Sequence, residues 1–387
     1  MHDVVQDWTR IAYPEETAYL DTYGFARSQG LVNLEGILMR PRDRVSRTLL
    51  IYMHPSATMQ LLPAPFDAAA HGAHVLCAAS RYPKNDSALI MENVVRDLGA
   101  WIRHAKETWN YRHVVLAGWS GGGSLSIFYQ AQAEHPTITA TPAGDPVDLA
   151  AAGLIPADAV IFQAAHLSRA QLLADWIDPS VLDELNPGDR QRTLDIYDPV
   201  NPNQPPYDAD FVKAFREAQR ARVRKIAAWA RAELDRLRHA GGAEVERGFV
   251  IHRTMADPRF LDAAIEPNGR RPNWCYLGNP ETVNNGPAGL ARFCTLRSFL
   301  SQWSIDDTNA HAPDNAPHVG VPLLAIENTA DDAVPASHTR ILFDAAGSRD
   351  KEMHRIEGAT HYYAGQPELL AQASTLMLEW LRARGFD

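Results

Sequence analysis

The stretch HVVLAGWSGGGSLSIFYQ, residues 113–130, constrains the fold more than any other part of the chain. A run of β-forming residues leads to Ser120, three glycines follow it, and an apolar segment with helical character begins directly afterwards. Glycine inside a regular element costs roughly 0.5–1 kcal/mol relative to alanine, so the missing side chains must serve a purpose. A sharp strand-to-helix turn that exposes the serine hydroxyl excludes side chains on both sides of it, which explains Gly118 and Gly122.

Short apolar runs alternate with helical patterns on both sides of this turn. Each run is bounded by polar or turn residues, as is typical of strands in a sheet that is covered on both faces. The predicted strands are 48–55, 73–80, 113–120, 158–165, 321–328 and 351–357. Predicted helices lie at 87–107, after Ser120, at 335–346 and at 367–384. The alternation predicts an α/β fold with a doubly wound, mostly parallel sheet.

Residues 166–318 interrupt this alternation. The segment is rich in loops, and its clearest helix, 208–239, carries an apolar stripe and is ended by a glycine pair. Because the segment lies between two predicted strands, we expect residues 1–165 and 319–387 to form the α/β core. Residues 166–318 would then form a helical cap over the carboxyl ends of the strands, where proteins of this class bind ligands.

The sequence Gly118-Trp119-Ser120-Gly121-Gly122 matches the pattern G-x-S-x-G, with a predicted strand before it and a helix after it. With the D-x-x-V-P string that starts at Asp331, it resembles the α/β-hydrolase superfamily, whose fold the alternation above would also fit. The resemblance implies a catalytic triad in the order Ser120, Asp331, His361, on the loops after three strands. Asp332 is the alternative acid, and His354 is a weaker candidate for the base because it lies inside a predicted strand.

The resemblance also implies an oxyanion hole built from two backbone N–H groups. The first would be that of Gly121, directly after the serine. The second would come from the loop after strand 48–55, where the family often has His-Gly. This chain has His54-Pro55 instead, and proline has no N–H to donate. Ser56 is therefore the expected donor, with Ala57 as the alternative.

Four residues are candidates for binding substrate because they lie beside the turn, at the start of the cap or at its end. They are His54, Trp119, His166 and Trp303. A large cap that closes over an apolar cleft favours a small or medium organic substrate and argues against a polymer.

Three functions remain open on this sequence. A serine hydrolase of carboxylic esters or lactones is the first. The second uses the same triad to hydrolyse a C–C bond in a ring-cleavage diketone, or acts as a thioesterase or acyltransferase. The third is a small-molecule receptor, but the usual sign of that class is a missing triad member and none is missing here.

The composition of the chain limits the classes of molecule and the cell compartment that we expect for it. The net charge of -10 argues against a nucleic-acid partner, which would require a basic face. No apolar run approaches the roughly 18 residues of a membrane span, and the amino terminus has neither the basic start nor the apolar core of a signal peptide. The three cysteines show no metal-binding spacing. We expect a cytoplasmic enzyme with no metal or cofactor and no membrane partner, and a homodimer is compatible with the sequence.

Overall fold

The computed structural model describes residues 1–15, 30–287 and 289–386. Within these ranges the strands are β1 (Val4–Pro14), β2 (Leu31–Pro41), β3 (Thr48–Met53), β4 (His74–Ala78), β5 (His113–Trp119), β6 (Ala159–Gln163), β7 (Gly248–Val250), β8 (Phe293–Thr295), β9 (Leu323–Asn328) and β10 (Lys351–Ile356). The helices are α1 (Pro63–Ala70), α2 (Met91–Glu107), α3 (Gly121–Glu134), α4 (Arg169–Trp176), α5 (Ala209–Ala240), α6 (Pro280–Asn285), α7 (Leu296–Gln302), α8 (Ala312–Asn315), α9 (Ala336–Ala345) and α10 (Pro367–Arg382).

The main sheet of the described chain has the order β1-β2-β4-β3-β5-β6-β9-β10. The strands from β4 to β10 in this order are parallel to one another. The sheet begins with β1 and β2, which pair antiparallel, as do β2 and β4. The prediction of a mostly parallel α/β sheet is therefore confirmed, and the six predicted strands are all present.

The antiparallel strands β1 and β2 were missed by the sequence analysis. Strand β1 forms the edge of the sheet and alternates exposed with partly buried residues along VVQDWTRIAYP. Its polar residues Gln6, Asp7, Thr9 and Arg10 interrupt the continuous apolar run by which the buried strands were recognised.

Helices cover both faces of the sheet. On one face α2 and α3 contribute Leu98, Trp101 and Phe128 to a core that also contains Leu116 of β5. On the other face α1 and α10 pack against the sheet through residues such as Met377. Covering both faces is what allows the central strands to be apolar throughout.

Residues 166–318, which we call the insertion, leave the sheet at the carboxyl end of β6 and return at the amino end of β9. The long helix α5 organises it and ends at Gly241, which adopts a left-handed conformation with φ of 61°. The helix predicted at 208–239 is thus confirmed. The buried stripe of α5 packs with Trp176, Phe299 and Trp303 in a second core, which Ala333 and Val334 of the loop after β9 also join.

The last turns of the insertion pack differently, because Ala312 and Ala316 join the core beside α3. None of the helices described has both the length and the apolar character that a bilayer crossing requires.

Candidate active site

Ser120 stands at the turn between β5 and α3 with φ of 53° and ψ of −121°. A positive φ is costly for a residue with a side chain, and such strain collects at functional sites. The backbone N–H of Ser120 donates to the carbonyl oxygen of Gln163 in β6 at 3.0 Å, which fixes the turn against the sheet. Ser120 is only partly buried, whereas its neighbours on both sides are buried.

The glycines around Ser120 are required by close packing. A Cβ atom on Gly118 would lie 2.4 Å from the carbonyl oxygen of Gly122, and one on Gly122 would lie 2.3 Å from that of Met53. Both obstacles are backbone atoms, which cannot move aside. At Gly121 the obstacle is a pair of rings, since a Cβ there would lie 2.6 Å from Nε2 of His54 and 3.1 Å from Nε2 of His166.

His361 and Asp331 form a buried pair on the loops that follow β10 and β9. Nδ1 of His361 lies 2.9 Å from Oδ2 and 3.0 Å from Oδ1 of Asp331. The Asp331 carboxylate is held by its own loop, because Oδ1 accepts the backbone N–H groups of Ala333 and Val334, each at 2.8 Å. The pair therefore has a fixed geometry in which the carboxylate orients the imidazole.

Asp332, the alternative acid, has a different partner. Its Oδ1 accepts the backbone N–H of His361 at 3.4 Å and does not meet the ring. Burial, and secondly the Asp331 carboxylate, raises the pKa of Asp332 above its ordinary value. Of the two neighbouring aspartates, Asp331 is the one that faces the imidazole.

Aromatic rings enclose His361. The Trp119 ring, next to Ser120, lies 4.4 Å from the His361 ring between centroids, and Tyr362 lies 5.1 Å from it. Tyr276 of the insertion lies 5.9 Å from the same ring in an edge-to-face arrangement. Trp119 is 5% exposed and packs on both His361 and Tyr362. These contacts bring the loop of His361 to the turn that carries Ser120.

His54 and His166 flank the same turn on its other side. They follow β3 and β6, and both residues are buried. Burial, aided by the charge of Arg169, lowers the pKa of His166 to about 3 and holds that of His54 well below its ordinary value. The predicted donor, Ser56, has an unexpected partner, because its N–H donates to Nδ1 of His54 at 3.2 Å. Ala57 donates to the same atom at 2.9 Å.

Ser120, Asp331 and His361 thus follow β5, β9 and β10 at the carboxyl edge of one sheet. In proteins with a functional G-x-S-x-G pattern, the serine stands on a strained turn between a strand and a helix, and an acid and a histidine follow it along the chain. The three residues here have this arrangement. The chain has the α/β-hydrolase fold.

Solved α/β-hydrolase structures to which the chain is similar share little sequence with it. A monoacylglycerol lipase from Paleococcus ferrophilus is 14% identical, with a TM-score of 0.43, and the match covers 86% of this chain and 93% of that one. An esterase domain from Rhodothermus marinus is 12% identical with a TM-score of 0.45, covering 97% and 98%. Est1E from Butyrivibrio proteoclasticus is 14% identical with a TM-score of 0.46, covering 90% and 95%. No family model and no curated protein sequence matches the chain.

Trp303 lies apart from Ser120 and His361, in the core of the insertion. Trp303 is fully buried, and its ring stacks on that of Phe299 with 5.9 Å between centroids. Its indole N–H donates to the carbonyl oxygen of Ala291 at 3.0 Å. These contacts satisfy the side chain inside the core of the insertion. The prediction that Trp303 binds substrate stays a prediction, and the contacts described here are those of a packed core residue.

A polar network beneath His361 was missed by the sequence analysis. The hydroxyl of Tyr363 donates to Oδ1 of Asn328 at 2.8 Å and accepts the side-chain N–H of Gln163. Asn328 in turn donates to the carbonyl oxygen of Thr360 at 2.9 Å, one residue before the histidine. The network ties the ends of β6 and β9 to the His361 loop. No local pattern announces it, because its members meet only in the folded sheet.

The insertion contacts the acid loop directly. Asn268 donates through its side chain to the carbonyl oxygen of Asp331 at 3.0 Å. The backbone N–H of Gly269 donates to the carbonyl oxygen of Thr329 at 2.9 Å. The N–H of Tyr276 donates to the carbonyl oxygen of Asp332 at 3.2 Å. Within the described ranges, no cluster of three or more His, Cys, Asp or Glu side chains is arranged to hold a metal ion.

Proposed function

We propose that this protein is a serine hydrolase that cleaves a carboxylic ester or a lactone of a small or medium organic substrate. Ser120 is the nucleophile, His361 the general base and acid, and Asp331 the residue that orients the imidazole. The Gly121 N–H stabilises the oxyanion. No metal or organic cofactor enters the reaction.

The observation that carries the proposal is the strained, partly exposed Ser120, whose neighbour Trp119 packs 4.4 Å from the ring of the buried His361–Asp331 pair. A serine hydroxyl is a weak nucleophile alone and needs a base that is held by a third group. The two contacts between the Asp331 carboxylate and Nδ1 of His361 favour the imidazole tautomer that carries its proton on Nδ1. That tautomer leaves Nε2 free to take a proton from the serine.

The reaction follows from these roles. Ser120 Oγ forms a bond to the carbonyl carbon, its proton passes to Nε2 of His361, and the carbonyl electron pair moves onto oxygen. The N–H of Gly121 begins a helix, so it has no acceptor within that helix and can donate to the oxyanion. The positive end of the α3 dipole favours the same negative charge. His361 then protonates the leaving alcohol, and water releases the acyl group by the reverse sequence.

We further propose that the insertion acts as a cap over this site. Its contacts with the acid loop, through Asn268, Gly269 and Tyr276, support a position over the ends of β9 and β10. The buried hydroxyl of Tyr276 has no hydrogen-bond partner, and burial raises its pKa, so it stays a neutral donor for a polar group of a substrate. A closed site of this kind suits a substrate that is enclosed whole.

The test is turnover of activated esters with acyl chains from acetyl to long, together with labelling by a fluorophosphonate that reacts with activated serines. Wild-type protein should hydrolyse one part of the series and take up one label. Ser120→Ala should lose both. Ser46→Ala, a partly buried serine that precedes the amino end of β3, is the matched control and should keep both.

The alternatives within the same triad are separated by substrate. Labelling at Ser120 without ester turnover would direct the work to thioesters and to C–C diketones, where His361 would serve proton transfer to carbon. Absence of both labelling and turnover would overturn the assignment of an activated serine and favour a binding function.

A further inference from the structure

The loop after β3 lacks the backbone donor that an oxyanion hole would take from it. Pro55 has no N–H, and the next two N–H groups, of Ser56 and Ala57, both donate to Nδ1 of His54 at 3.2 and 2.9 Å. A group that already donates to a ring nitrogen is not available to a developing negative charge. The second donor must come from another group.

The same two hydrogen bonds fix the tautomer of His54. A ring nitrogen that accepts hydrogen bonds carries no proton, so the neutral imidazole has its proton on Nε2. Burial in first place, and then the charges of Arg169, His166 and His361, keep the pKa of His54 far below neutrality. The ring therefore presents an Nε2–H donor that does not titrate over the range in which enzymes usually work.

The Nε2–H edge of His54 faces the residue after the serine. A Cβ on Gly121 would lie 2.6 Å from Nε2 and 3.1 Å from Cδ2 of His54, so the ring occupies the space beside the Gly121 backbone. No residue in the described part of the chain accepts a hydrogen bond from this Nε2. His166 also reaches Gly121 through its Nε2, but its Nδ1 accepts no N–H hydrogen bond of the kind that fixes the tautomer of His54.

We propose that Nε2–H of His54 is the second hydrogen-bond donor to the oxyanion, beside the Gly121 N–H, in place of the backbone donor that Pro55 removes. This inference rests on the proposed serine hydrolase function. His54 transfers no proton in the reaction. It donates a hydrogen bond to the carbonyl oxygen as the electron pair moves onto it, while the serine proton passes to His361.

Two substitutions separate the donor from the support that the ring gives its loop. In His54→Asn the side-chain oxygen can take the place of Nδ1 and accept the N–H groups of Ser56 and Ala57, but no donor reaches the position of Nε2. In His54→Gln the amide N–H₂ can reach that position. We expect kcat to fall by about 10²–10³ in His54→Asn with little change in KM, as for the loss of one oxyanion donor. His54→Gln should recover part of the kcat that His54→Asn loses. His239→Asn, at an exposed histidine near the end of α5, is the control and should match wild type.

A thionoester provides a readout that a structural role would not change. Sulfur accepts hydrogen bonds poorly, so wild type should prefer the ester over the matching thionoester, and His54→Asn should lose much of that preference. Equal losses of kcat on both substrates, or wild-type kcat in His54→Asn, would overturn the proposal. Fluorophosphonate labelling of wild type, absent in Ser120→Ala, tests the underlying function separately. If labelling succeeds and the His54 result is negative, only the role of His54 fails.

Discussion

Nδ1 of His361 lies 2.9 Å from the carboxylate of Asp331, whereas Asp332, one residue further, accepts only the His361 backbone N–H at 3.4 Å. Two adjacent aspartates thus have separate tasks, one at the ring and one at the main chain. Residue type cannot distinguish them, but the turn that holds Asp331 through Ala333 and Val334 can.

This division predicts unequal effects of the same substitution. Asp331→Asn should lower kcat by about 10⁴, because the amide no longer selects the imidazole tautomer that the reaction needs. Asp332→Asn can still accept the His361 N–H and should remain close to wild type. Steady-state kinetics on the best ester of the series measures both. A larger loss in Asp332→Asn than in Asp331→Asn would contradict the assignment.

The packing of the glycines predicts a loss of stability. Gly122→Ala places a Cβ against the carbonyl oxygen of Met53, which belongs to β3, so the free energy of unfolding should fall by about 1–3 kcal/mol or more. Gly242→Ala is the control, because nothing lies within 4 Å of a Cβ there. Chemical denaturation compares the two variants. Equal denaturation midpoints would show that the turn at Ser120 can relax to accommodate the added Cβ.

The network under His361 predicts a coupled loss of stability and turnover. Tyr363→Phe removes the hydroxyl that Oδ1 of Asn328 accepts from and that the side-chain N–H of Gln163 donates to, at a cost of about 1–3 kcal/mol. It should also lower kcat, because Asn328 holds the His361 loop. Tyr129→Phe breaks a buried hydroxyl bond to the carbonyl oxygen of Ile155 and is the control. It should lose stability with an unchanged kcat. Unchanged turnover in Tyr363→Phe would mean that the loop is held by other contacts.

Burial of neutral histidine predicts sensitivity to acid. The pKa of His166 is about 3 in the folded protein, below the unfolded value of about 6.5, so the unfolded chain binds more protons between these values. The stabilisation is complete above pH 6.5 and is lost as pH falls towards 3, with a slope of up to about 1.4 kcal/mol per pH unit from each such residue. The free energy of unfolding, measured from pH 7 to pH 4, should fall less steeply for His166→Asn than for wild type. His239→Asn should keep the wild-type slope, and a parallel curve for His166→Asn would contradict the prediction.

The parts of the fold that the sequence predicted are those with a local cause. Apolar runs marked the buried parallel strands, and the glycines marked the turn at Ser120. The edge strand β1 was missed because pairs of polar residues, Gln6-Asp7 and Thr9-Arg10, interrupt its apolar residues. Contacts between distant segments left no local signal, and for that reason neither the ring of His54 beside Gly121 nor the packing of Trp303 could be predicted. The choice of Asp331 over Asp332 depended on a family resemblance.

The pairing of β6 with β9 has a consequence for synthesis of the chain. The two strands are neighbours, with Gln163 opposite Ile326, yet about 160 residues separate them along the sequence. At a ribosomal rate of roughly 5–20 residues per second, β6 waits about 8–30 seconds for its partner. During that time the edge of β6 that faces away from β5 offers unpaired backbone groups to any other strand. The length of the insertion therefore sets how long the nascent chain is open to misassembly.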